Sequence, residues 1–90
     1  MIADRLAPLR ARFVERTARE CGEIEASIRA ADLAAAGSIA HRIAGAGGTL
    51  GLPAVSAAAI RLEDACDVGD AAAAGEAAAE LRRLVGAPTA

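Results

Sequence analysis

The chain of 90 residues has one Phe and neither Trp nor Tyr. β-Sandwiches and barrels draw on aromatic and β-branched residues, so a sheet-based fold is excluded at the outset. Lysine is absent too: all ten basic residues are Arg, interleaved with acids to a net charge of −2. With no basic stripe and no aromatic platform for stacking bases, nucleic-acid binding is not expected. No apolar run approaches the length of a membrane span, and Met1-Ile2-Ala3-Asp4-Arg5 lacks the layout of a signal peptide, so a cytoplasmic protein is expected. The two cysteines, Cys21 and Cys66, stand far apart with no C-x-x-C spacing. They read as small buried thiols, and with one histidine in the chain they are too few for a metal site.

What the chain does have is alanine, which dominates its 54% hydrophobic fraction and is the strongest helix former. Three breaks divide it: Ala30-Ala31-Asp32, Gly51-Leu52-Pro53 and Val68-Gly69-Asp70. Asp32 and Asp70 suit N-caps, Pro53 a first helical turn, and Gly51 and Gly69 helix ends. The spacing predicts helices over about 8–29, 33–50, 53–67 and 71–85. Their apolar faces are Leu9, Phe13, Thr17, Cys21, Ile24 and Ile28; Ile39, Ile43 and Leu50; Val55, Ala59, Leu62 and Cys66; and Ala74, Ala78, Leu81 and Val85. A short extra turn before Pro8 would let Leu6 fold over the end. Short connections make successive helices antiparallel neighbours. The expected fold is all-α: one domain over 1–90, an up-down-up-down four-helix bundle.

The single histidine, His41, lies within the second helix among unusually small residues. At about 100° per residue, Ile39, Ile43 and Leu50 fall on the side opposite His41, so the imidazole is expected to face away from the core. Its neighbours on that face are Ala34, Gly37, Ser38, Ala44, Gly45 and Gly48. Each interior Gly costs a helix roughly 0.5–1 kcal/mol relative to Ala, and close approach of another backbone is one physical reason to bear that cost. This face is the expected docking surface. For Gly47, tight packing between helices is an equal reading, and for Gly48, fraying of the helix end.

The turn between the second and third helices centres on residue 52, so reflection about it places position 63 opposite position 41. Position 63 is Glu63. A carboxylate there can accept a hydrogen bond from the Nδ1–H of His41, leaving Nε2 as the exposed nucleophile. A solvated Glu63 beside Asp64 is the competing reading.

The stretch from His41 to Gly51, His-Arg-Ile-Ala-Gly-Ala-Gly-Gly-Thr-Leu-Gly, resembles the histidine-containing phosphotransfer (HPt) family. So do Asp32 at the head of the helix, the separation of His41 from Glu63, and the four-helix layout over about 5–86. The resemblance implies a phosphorelay intermediate: His41 exchanges a phosphoryl group with the Asp of a response-regulator receiver domain, and Glu63 orients it. It implies partners that are receivers, with a hybrid histidine kinase upstream, and Mg²⁺ on the receiver with no cofactor on this chain. Ile60, one turn before Glu63, becomes a candidate apolar contact in docking. One departure stands out: the basic residue that the family carries three positions after its His is Ala44 here; Arg42, about 100° round the helix and counted with the docking face, is the nearest cation, a solvated or intrahelical role being an equal reading. The alternative is a module that binds receivers without accepting phosphate. No nucleotide-binding Gly-rich loop followed by Lys is present, so no autonomous catalysis is expected, and with no large apolar face unassigned a monomer is expected.

Overall fold

The computed structural model describes residues 4–87; Met1–Ala3, and with them part of the N-terminal reading above, lie outside it. Four helices make up its regular structure: α1 (Ala7–Arg29), α2 (Leu33–Thr49), α3 (Pro53–Asp67) and α4 (Ala71–Leu84). They form an antiparallel ring in which α2 packs on α1 and α3, and α4 packs on α3 and α1. The four-helix expectation holds, with boundaries within a residue of those read from the sequence. Leu50 and Val85 fall at the C-caps of α2 and α4 rather than inside them.

The breaks work as their chemistry predicts. Asp32 and Asp70 accept hydrogen bonds from the backbone N–H groups of Ala35 and Ala73, three residues on, satisfying donors that each new helix leaves open. Pro53 opens α3, where its missing N–H costs nothing. Gly51 and Gly69 take left-handed φ values of 74°, which their lack of Cβ permits. Leu6 caps α1 and stays largely exposed instead of folding over the bundle end; a turn joins it to Asp4, whose side chain pairs with Arg10.

The core is built from few large side chains. Ile24, Ile43, Leu62 and Leu81 are its largest fully buried hydrophobics, and alanines fill most of the rest. The predicted faces of α3 and α4 are buried as expected. On α1, Thr17, Cys21 and Ile24 are buried, while Phe13 and Ile28 are partly buried and Leu9 is exposed.

The face of α2 needs correction. Its buried residues are Ala36, Gly37, Ala40, Ile43 and Gly47, whereas Ile39 and Leu50 are half-buried. Measured from His41, these buried positions centre about 100° round the helix rather than 180°. The cause is close approach to α3. Large side chains cannot fit there, so small ones are buried, and a reading weighted by Ile and Leu points in the wrong direction. His41 therefore stands at the margin of the α2–α3 interface.

Candidate functional site

That margin brings His41 to Glu63. Nδ1 lies 2.7 Å from a carboxylate oxygen of Glu63. An ionised carboxylate can only accept, so Nδ1 carries the proton and Nε2 presents its lone pair outward. The ring is 74% exposed and the Glu63 side chain 27%. The ring edge that bears Nε2 is thus open to solvent, while the Glu63 carboxylate is largely shielded. Both residues belong to one hairpin, and the register set by the turn at Gly51 determines that they meet.

The small residues around His41 divide into two groups. Ala34, Ser38, Gly45 and Gly48 are exposed, and a Cβ added at Gly45 would meet nothing within 4 Å. Gly37 is buried instead: an added Cβ would lie 3.2 Å from Cβ of Cys66. Ala44 is half-buried, and its carbonyl accepts from the Ser56 hydroxyl at 2.9 Å. Ser56 also sits under Gly48 and Gly47, its backbone nitrogen 3.3 Å from where a Gly47 Cβ would be. Gly37 and Ala44, expected on the open face, therefore serve the α2–α3 seam, with Gly47. Their wheel positions fall on the α3 side of His41, those of Ser38 and Gly45 on the α1 side.

An open cleft runs along this margin, lined among others by Ala34, Gly37, Ser38, His41, Arg42, Glu63, Cys66 and Asp67. Ile60, 47% exposed, stands on α3 one turn before Glu63 and outside the cleft lining. Burial pushes the Cys66 thiol above its ordinary range, and the neighbouring Asp67 and Glu63 push it further. The Cys21 thiol is raised by burial as well. Neither is a competent nucleophile at neutral pH, since the thiolate is the reactive form.

Arg42 is half-exposed but paired. Its guanidinium donates to Glu20 on α1 at 3.2 Å, a contact that sequence reasoning missed although the same counting would find it: reflection about the α1–α2 turn near residue 31 places position 20 opposite position 42. Glu20 is nearly buried and lies 3.7 Å from Arg16 on its other oxygen. Among the described residues no group of His, Cys, Asp and Glu is arranged to hold a metal ion, and no helix is long and apolar enough to cross a membrane.

Compared with known proteins, no curated protein and no solved structure gives a match. The family comparison does: the Hpt domain matches residues 8–87, all four helices and the whole cleft. An exposed imidazole on a helical bundle accords with that match. The chain belongs to the Hpt domain family and so has a phosphotransfer role in two-component signalling.

Proposed function

We propose that His41 is the phosphoryl carrier, exchanging the group with the aspartate of response-regulator receiver domains. The observation that carries this reading is the 2.7 Å contact between Nδ1 of His41 and Glu63. Nε2 attacks phosphorus in line as the bond from phosphorus to the receiver's carboxylate oxygen breaks. The positive charge that develops on the ring is held against the Glu63 carboxylate, which needs no reorganisation to receive it. Glu63 is a positioning residue; it touches the ring but not the phosphoryl group. Mg²⁺ held by the receiver would supply charge neutralisation for the phosphoryl oxygens, and this chain supplies orientation and an open surface rather than catalysis of its own. Ala34, Ser38, Gly45 and Gly48 form the floor on which the receiver rests, and Ile60 offers it an apolar contact. One copy suffices, because nucleophile, orienting acid and floor all come from a single chain.

Incubation with a labelled phospho-receiver tests this. Acid-labile label is expected on the chain and none on His41→Gln. Glu63→Gln keeps the helical circular dichroism and slows labelling roughly 10- to 100-fold, the scale of a misoriented reacting group. Ala44, where the family carries a basic residue, favours one second reading, a module that binds receivers without accepting phosphate. A stable complex with no label, unaffected by His41→Gln, would establish that reading and sink the first.

A further inference from the structure

Arg42 is the one cationic side chain among the described residues lining the His41 cleft, beside the acids Glu63 and Asp67. It is not aimed into that cleft. Its guanidinium sits on Glu20 of α1 at 3.2 Å, yet the side chain is 53% exposed and so has room to swing. Glu20 is held differently. Its side chain is 12% exposed, and its second oxygen already faces Arg16 at 3.7 Å. A nearly buried carboxylate deprived of all cations would be strongly destabilising. Here the loss of Arg42 leaves a replacement in place one helical turn away on the same helix.

We propose that Glu20 parks Arg42 in the unphosphorylated protein, and that a phosphoryl group on Nε2 of His41 draws Arg42 off Glu20 and into the cleft, Arg16 taking over the Glu20 charge. The inference rests on His41 being the phosphoryl carrier. A phosphoryl group carries up to two negative charges and three acceptor oxygens against the single charge of a carboxylate, and a guanidinium matches it with two parallel donors. Arg42 adjoins His41 in sequence, about 100° round the helix, and lines the same cleft. The exchange makes and breaks ion pairs only. Phosphate-holding charge at this site is then conditional: stored on α1 while the imidazole is free, and delivered once it is loaded. This supplies a cation without a basic residue at Ala44.

The test loads the full chain with phosphoramidate, a small donor that needs no partner, and follows the phosphohistidine by ³¹P NMR across pH. A neighbouring guanidinium favours the dianionic phosphoryl group, so in Arg42→Gln its titration moves upward by about half a unit to one unit. Arg42→Lys falls between Arg42→Gln and the wild type. Glu20→Gln, which unparks Arg42, titrates at or below the wild type, and Glu20→Gln with Arg42→Gln matches Arg42→Gln alone. The Arg42 Nε–H resonance shifts on loading and holds still in His41→Gln. If no label enters the wild type, both the carrier reading and this inference are overturned. If label enters but Arg42→Gln titrates with the wild type, this inference alone falls.

Discussion

At the scale of single residues, the glycines of α2 separate two kinds of cost. Gly45 bears the helix penalty with nothing against it, whereas Gly47 lies against backbone and side-chain atoms of Ser56. Gly45→Ala is therefore expected to raise stability by roughly 0.5–1 kcal/mol, read from urea unfolding. In the same variant the added methyl stands on the proposed docking floor and slows transfer from a phospho-receiver. Gly47→Ala gains the same propensity but requires the Ser56 backbone to give by a few tenths of an ångström at a close-packed seam, and the expected net result is a loss of stability. A Gly45→Ala protein that is less stable, or a Gly47→Ala protein that is more so, would refute this division. The His41–Glu63 pair was legible in the sequence because a short hairpin fixes register by counting. The division among the small residues was not, since alanine and glycine have no hydrophobic weight with which to announce that they are buried.

At the scale of the helix, all four elements end alike. Asp32, Leu52, Asp70 and Ala87 each donate their backbone N–H to a carbonyl five residues back, across a residue with φ between 58° and 74°. In three helices that residue is glycine, and in α1 it is Ala31. The left-handed conformation costs an alanine about 1 kcal/mol that glycine does not bear. Ala31→Gly should stabilise the protein by roughly that amount and Gly69→Ala should weaken it by as much, both measured as shifts in the urea midpoint. Asp32 and Asp70 have two roles here. The backbone N–H closes one helix while the carboxylate opens the next, which keeps the α1–α2 and α3–α4 connections so short. The break at Ala30-Ala31-Asp32 was readable from the Asp; the strained alanine was not, because propensity alone places alanine inside a helix.

At the scale of the molecule, the ring must close between the first and last helices, and a cross-bridge helps to do it. Arg82 of α4 donates to both oxygens of Glu25 on α1, at 2.8 and 2.5 Å. These hydrogen bonds hold the Glu25 carboxyl below its ordinary value near 4.5, against the opposing effect of burial. A carboxyl that titrates lower when folded adds stability that is complete above its unfolded value and vanishes as pH falls through the folded one. Wild type should out-melt Glu25→Gln at pH 7, and the gap should close below about pH 4; a gap independent of pH would show that the bridge contributes only packing. Neither partner of this bridge was singled out by the sequence, because α1 and α4 share no turn from which to count. That difference bears on the cleft. His41 and Glu63 belong to one hairpin, so a single turn sets the register at which they meet. Arg42 and Glu20 belong to the neighbouring hairpin, α1–α2, and stand at the same separation along the chain. Imidazole, acid and parked cation are thus each placed by a short turn, and the cleft does not depend on closure of the ring between α1 and α4.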